Sequence, residues 1–199
     1  MKNLSNKVAI ITGSSSGVGA ATAKLLAAQG CNVVINYNSN ADGGNAVAVE
    51  CEALGVECLV IGGNVAEDAN CLAMAGAAIE KWGRIDILVN NAGTTKFVDH
   101  SDLHGLSSDD FQHIYGVNVI GSYQMIRAVS EQMQSQEEGG AVVNVASTAA
   151  VTGIGSSVAY AASKGALVTM TLSLARALGP KLRINAVCPG FIEGDWLRE

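Results

Sequence analysis

The sequence predicts an α/β sandwich built on a parallel sheet. Strand-like apolar runs alternate with helix-like amphipathic segments from end to end, the pattern of repeated βα units. The composition agrees: 49% of the residues are hydrophobic, only 15% are charged, and 23 glycines supply tight turns. At 199 residues the chain can bury one substantial core, and nothing divides it, so residues 1–199 are read as a single domain.

Val8-Ala9-Ile10-Ile11 reads as the first strand, and Gly17 to Ala28 as the helix after it. Asn32 to Ile35 is the second strand, with a helix around Asn45 to Ala53. Glu57 to Ile61 is the third, with a helix from about Glu67 to Lys81, and Ile85 to Val89 is the fourth. A loop through Thr94 to Leu106 leads to a long helix starting near Ser108, where Ser107 with Asp110 resembles a capping box. Ala141 to Val145 is the fifth strand, Val158 to Leu178 the next helix, and Leu182 to Val187 the sixth strand.

A net charge of −6 argues against a general nucleic-acid binder, which needs a basic face. No uninterrupted apolar run spans a bilayer, and the stretch Val8 to Ile11 is too short for a secretory signal, so a soluble cytoplasmic protein without a membrane partner is expected. The five cysteines, Cys31, Cys51, Cys58, Cys71 and Cys188, are scattered and odd in number, which predicts reduced, mostly buried thiols and neither a disulfide framework nor a zinc site. His100, His104 and His113 read as solvated surface residues, and no metal site is expected.

Tyr160 and Lys164 carry the most chemistry. At i and i+4 they share a helix face, so phenol and ammonium can serve one site. A fixed cation beside a tyrosine favours the phenolate, and a drop of roughly three units takes about 4 kcal/mol. The product is an acid–base group suited to a carbonyl/alcohol pair near neutral pH. Near the N-terminus, Thr12-Gly13-Ser14-Ser15-Ser16-Gly17-Val18-Gly19 lies between the first strand and its helix. Glycines there permit a tight turn and a close backbone approach to phosphate, and the helix N-terminus offers free N–H groups.

The spacing Thr-Gly-x-x-x-Gly-x-Gly resembles the short-chain dehydrogenase/reductase family. Asn90-Asn91-Ala92-Gly93 after the fourth strand, Asn118 in the long helix, Ser147, the Tyr160/Lys164 pair and Pro189-Gly190 follow in the family's order, with Ser147 thirteen residues (160 − 147 = 13) before Tyr160. The likeness covers essentially the whole chain and is greatest to compact reductases of the 3-oxoacyl-carrier-protein reductase and glucose dehydrogenase type. It implies a Rossmann-type three-layer sandwich with sheet order 3-2-1-4-5-6. It also implies hydride transfer between a nicotinamide nucleotide and a ketone or secondary alcohol. Tyr160 would exchange the proton, and Lys164 would lower its pKa and bind the nicotinamide ribose. Ser147 would stabilise charge on the substrate oxygen, and Asn118 would hold a water linking Lys164 to solvent. Cofactor contacts implied are Gly13, Ser15, Ser16, Gly17, Val18 and Gly19 in the first loop, Asn36 after the second strand, and Asn64 and Val65 after the third. Asn91, Ala92 and Gly93, then Tyr160 and Lys164, and finally Pro189, Gly190 and Ile192 complete the set. A sheet-stabilising role for Asn90 or Asn91 is equally reasonable. The family implies a homodimer or homotetramer pairing the two long helices.

Three departures matter. The second strand runs into Asn36-Tyr37-Asn38-Ser39, with no carboxylate to repel a 2′-phosphate, so NADP(H) is favoured over NAD(H), although Ser16 and Asn38 stand where NADP-preferring relatives often carry a basic residue. The usual aspartate at the adenine position is Asn64. The chain stops at Glu199, where relatives continue through a substrate-covering helical segment and a seventh strand, and Gly194 replaces a threonine that often binds the carboxamide. A C-terminally shortened domain, or a fragment, is therefore expected. That gap leaves two further readings: a non-catalytic NAD(P)-binding protein, and a sugar-nucleotide epimerase or dehydratase sharing Tyr-x-x-x-Lys.

Overall fold

The computed structural model describes residues 4–193. Six strands form one parallel sheet: β1 (Val8–Ile11), β2 (Asn32–Tyr37), β3 (Cys58–Gly62), β4 (Ile87–Asn90), β5 (Gly140–Val145) and β6 (Leu182–Val187). Their order is β3-β2-β1-β4-β5-β6, as expected for the Rossmann-type arrangement. The helices are α1 (Gly17–Ala28), α2 (Ala41–Glu52), α3 (Asp68–Trp82), α4 (Ser108–Tyr115), α5 (Ser122–Ser135), α6 (Ala149–Thr152) and α7 (Val158–Leu178). A π-helical turn, Gly116–Gly121, joins α4 to α5.

Period-two alternation sorts β1 between the two faces. Val8 and Ile10 join a core with Leu88, Val142 and Ile184 under α3 and α5, into which Cys71, Met74, Met125, Val129 and Met133 project. Ala9 and Ile11 join the opposite core with Val33 and Ile35 under Ala20, Ala23 and Ala27 of α1 and Val47, Ala48 and Cys51 of α2. Each fully buried Ile or Leu contributes about 1.5–3 kcal/mol. Cys31, Cys51, Cys58 and Cys71 are buried free thiols, and Cys188 is an exposed one.

Local sequence and structure disagree at a few element boundaries. Helix α2 begins at Ala41, four residues before the predicted start, because Asn40 caps it by accepting from Gly43 N at 2.9 Å. The capping box is present: Asp110 N donates to Ser107 Oγ at 3.2 Å and Ser107 N to Asp110 Oδ2 at 2.8 Å. The expected continuous long helix is broken by the π-helical turn, and α6 lies in a stretch read as loop. Helix α7 does reach the length and mean hydropathy of a membrane span, at 21 residues and 1.2. Its hydropathy is spread among alanines and small residues, which hid it from a search for apolar runs; here it packs on the sheet with Lys164 buried.

Strand β4 starts at Ile87, two residues late, because Asp86 is spent as a clasp at the amino edge of the sheet. Its carboxylate accepts from Val8 N at 2.9 Å, from Arg84 Nε at 2.8 Å and from Arg84 Nη2 at 2.6 Å, with Lys7 Nζ at 3.3 Å. Burial pushes the Asp86 pKa up, but the Arg84 guanidinium, the Val8 N–H and Lys7 together hold it below the usual carboxylate range. A depressed folded pKa adds stability above the unfolded value of about 3.9 and loses it as pH falls through the folded one. Asp86→Asn should therefore lower stability at pH 7 by about 1–3 kcal/mol and flatten the acid loss below about pH 4 in urea titrations. An unchanged acid slope would remove Asp86 from that role.

Candidate active site

The carboxyl edge of the sheet gathers four of the predicted motifs. After β1 the chain turns with Gly13 at φ 62° and Gly17 at φ 53°. A Cβ on Gly13 would stand 2.9 Å from Ala92 Cα, and one on Gly19 would stand 2.5 Å from both Asn91 Nδ2 and Gly13 O. These are close backbone approaches that only glycine permits. At Gly17, by contrast, the space is open, and Ser16 makes no side-chain cap, so the N–H groups of the first turn of α1 face outward. An uncapped helix N-terminus behind a glycine cradle fits the pyrophosphate of a dinucleotide. Ser15, Ser16 and Val18 line it from partly or fully exposed positions.

Side-chain amides and hydroxyls hold this loop from behind. Asn36 was expected at the ligand surface; instead it is 2% exposed. Its Oδ1 accepts from Gly13 N at 3.0 Å, and its Nδ2 donates to Gly63 O at 3.0 Å and Ile61 O at 3.2 Å. Asn91 likewise donates through Nδ2 to Thr12 O and Gly13 O, both at 3.0 Å. Thr12 Oγ1 accepts from Asn91 N and Ala92 N, both at 3.0 Å. After β3, Asn64 Oδ1 caps Ala66 N at 3.0 Å, and Val65 is buried with its carbonyl taken by Gln124 Nε2 at 2.8 Å. Asn36 and the Val65 side chain thus shape the cleft from within, while Asn91 braces the loop from a partly exposed position. Ala92 and Gly93 follow on the partly exposed lip.

The proton-handling group assembles on β5, α7 and the π-helical turn. Lys164 is 4% exposed and donates from Nζ to Val145 O at 2.8 Å. Its Nζ lies 5.6 Å from the centroid of the Tyr160 ring. Tyr160 is half-buried with the Ser147 hydroxyl near its phenol, and Ser147 Oγ accepts from Ala149 N at 3.1 Å. The expected lowering of the Tyr160 pKa is absent in this arrangement. Burial pushes the phenol above its ordinary value, the Ser147 hydroxyl pulling it back only in part. The ammonium's own partner is a backbone carbonyl, and its burial brings Lys164 down to about 8, Cys188 opposing that drop.

Asn118 joins this group from the π-helical turn. Completely buried, it accepts at Oδ1 from Thr94 N at 2.8 Å and donates from Nδ2 to Thr94 O at 3.0 Å and Ser163 Oγ at 2.9 Å. Its amide is thus engaged by protein groups on two sides. Ser163 passes the connection on, donating to Tyr160 O at 2.7 Å. Sequence reasoning missed Ser163, Thr12 and Ser14, though each sits inside a recognised motif. Ser14 is buried, donating to Ile11 O at 2.7 Å and accepting from Asn36 N at 3.0 Å. Beyond β6, Pro189 O accepts from Thr148 N at 2.9 Å, bringing Pro189 and Gly190 beside the Ser147 loop; Ile192 is exposed, and Gly194 lies outside the described residues. A groove of about 310 Å³ lies nearby on α7, lined by His100, Ala149, Val158, Ala162 and Gly165, but includes neither Ser147 nor Tyr160.

The family profile described as short chain dehydrogenase matches residues 7–199. A protein named for a ketoacyl-reductase role in the granaticin polyketide synthase of Streptomyces violaceoruber is 39% identical over 189 residues, 95% of this chain and 74% of that one. A 3-oxoacyl-[acyl-carrier-protein] reductase of Synechocystis is 35% identical over 196 residues, 98% of this chain and 78% of that one. The crystal structure of an NAD+-bound xylitol dehydrogenase superposes with a TM-score of 0.91 at 31% identity, covering 99% of this chain and 75% of that one.

Two measurements follow from the geometry. Gly19→Ala should weaken NADPH binding in calorimetry by about tenfold or more, since the added methyl must displace Gly13 O or Asn91; unaltered affinity would contradict the cradle. In the free protein Lys164 should lose its proton near pH 8, read by pH-dependent amine labelling. Because the folded pKa lies below the unfolded one, this group adds stability as pH rises from about 8 towards 10, and Lys164→Met should lack that rise.

Proposed function

The chain belongs to the short-chain dehydrogenase/reductase family, and on that premise we propose that Tyr160 is the acid–base residue of its NAD(P)-dependent oxidation and reduction of CH–OH and carbonyl groups. The observation that carries this assignment is the convergence of Ser147, Tyr160 and Lys164 beside the open glycine cradle. The nicotinamide supplies or accepts the hydride when bound. The chain's own residues handle the proton and the oxygen. Ser147, near the Tyr160 phenol, orients the substrate oxygen, and the Tyr160 hydroxyl gives it a proton in reduction while its phenolate takes one in oxidation. Lys164, close to the ring and carrying its charge at neutral pH, favours the phenolate whenever the proton leaves. Asn118 and Ser163 hold the Tyr160 turn of the helix in place.

The cofactor would rest on Gly13 to Gly19 with its pyrophosphate at the start of α1, its adenosine towards the end of β2 and Asn64, and its nicotinamide towards Gly93, Tyr160 and Pro189-Gly190. Beyond β2 the exposed Asn38, Ser39 and Asn40 carry no negative charge, which suits a ribose bearing a 2′-phosphate. NADP(H) is the favoured cofactor on that ground. The intact proton-handling group favours an enzyme over a binding-only protein, and the glycine spacing sets it apart from sugar-nucleotide epimerases.

Residues 1–199 act as one catalytic domain, and the protein works in the cytoplasm as a homodimer or homotetramer. Exposed apolar residues on both long helices, Ile120 and Tyr123 on one and Val158 and Leu172 on the other, support the pairing.

Tyr160→Phe should bind NADPH normally and lose at least about a hundredfold in kcat against a panel of ketones; wild-type turnover by this variant would eliminate the mechanism. The same assay run with NADPH and NADH should give the higher kcat/KM for NADPH, and a marked preference for NADH would reverse the cofactor assignment.

A further inference from the structure

A chain of buried side chains crosses the sheet beneath the candidate site, and none of the roles above uses it. Asn90, at the end of β4, is 2% exposed, Asn144 on β5 is completely buried, and Thr171 on α7 is 4% exposed. Asn90 Nδ2 donates to Asn144 Oδ1 at 2.9 Å, Asn144 Nδ2 to Thr171 Oγ1 at 2.8 Å, and Thr171 Oγ1 to Leu167 O at 2.8 Å. In the other direction Asn90 Nδ2 also donates to Ser122 O at 3.1 Å, and Ser122 Oγ donates to Asn118 O at 3.1 Å. The path from Asn118 through Ser163 to Tyr160 O closes the circuit on α7.

The two attachments to β5 are neighbours. Lys164 bonds Val145 O, and Thr171, two helical turns further on the same face, bonds the side chain of Asn144. Two fixed points on one helix set both its height and its rotation over the strand. A single contact would leave the rotation free. Meanwhile Asn90 Nδ2 engages Ser122 O, a carbonyl at the exit of the π-helical turn. Asn90 Oδ1 is buried without a hydrogen-bond partner among the described residues. A lone buried acceptor is a cost that an apolar side chain at this place would not carry, so packing alone does not account for an asparagine here.

We propose that Asn90, Asn144 and Thr171 form a positioning chain that holds the helix carrying Tyr160 and Lys164 in register with the π-helical turn carrying Asn118. This rests on the catalytic reading of Tyr160. None of the three touches the reacting atoms; they act through α7 and the π-helical turn. The titratable groups facing Lys164 are Tyr160 from its own helix and Cys188 from beyond β6. A small rotation of α7 therefore alters the surroundings of the lysine as well as the aim of the phenol.

The test compares Thr171→Val, which keeps the shape and removes the hydroxyl, with Thr171→Ser, which restores it. Two readouts are taken: the pH profile of kcat with NADPH and a ketone, and amide hydrogen exchange. Thr171→Val should bind NADPH with unchanged affinity, lose about tenfold in kcat, show a displaced pH profile, and be rescued by Thr171→Ser. It should also speed exchange at residues 116–122, to which Thr171 makes no hydrogen bond, as well as along α7. Loosening confined to α7, or a wild-type kcat and pH profile, would overturn the positioning role. Tyr160→Phe is run in parallel: turnover by that variant refutes the catalytic reading itself. In that event faster exchange at 116–122 in Thr171→Val still supports the register, and its absence refutes it.

Discussion

A parallel sheet ends in loops whose backbone N–H and C=O groups have no strand neighbour, and the whole site depends on how those groups are satisfied without filling the cleft. Here short polar side chains do it from behind. Thr12, Asn36 and Asn91 reach the main chain of the glycine loop and the Asn91–Ala92 segment. Each bond removes a donor or acceptor that would otherwise be buried unpaired, at a cost of about 1–3 kcal/mol. With that satisfaction supplied from the rear, the Ser16 side chain leaves the first turn of α1 uncapped at the front of the loop.

The electrostatics of the proton-handling group follow from the same burial. Enclosing Tyr160 and Lys164 penalises both charged forms, so the phenol rises and the amine falls to about 8. The two shifts oppose each other's purpose: the phenolate gains least from a lysine that is itself easier to neutralise. At neutral pH the phenol therefore keeps its proton and the amine its charge, so the free protein holds Tyr160 as the acid.

The π-helical turn ties the two themes together. Inserting it between α4 and α5 allows Asn118 to reach Thr94 and Ser163 with its amide while its carbonyl and that of Ser122 bond to hydroxyl and amide side chains. Loop, long helix and α7 thereby meet at one fully buried asparagine. Such a turn has no signature in hydrophobic spacing, because it adds a residue to a helix whose apolar pattern continues on either side.

How far the sequence reached can be judged from particular residues. The unbroken apolar run of Val8 to Ile11 and the glycine spacing after it determined the strand, the loop and the helix start, since a short apolar run closed by glycines and φ > 0 are local demands. The i, i+4 spacing of Tyr160 and Lys164 likewise put them on one face. What it did not determine is which polar residues face the ligand. Asn36 and Asn91 carry the same amide whether it points to a cofactor or to Gly13, and only packing chooses. The direction of the Tyr160 pKa escaped for a similar reason: charge proximity is visible in the spacing, whereas desolvation depends on how many atoms from β5, β6 and the loops close over the site. Local periodicity belongs to the sequence by itself; burial and hydrogen-bond partnership are properties of the folded whole, because both are set by residues far apart in the chain.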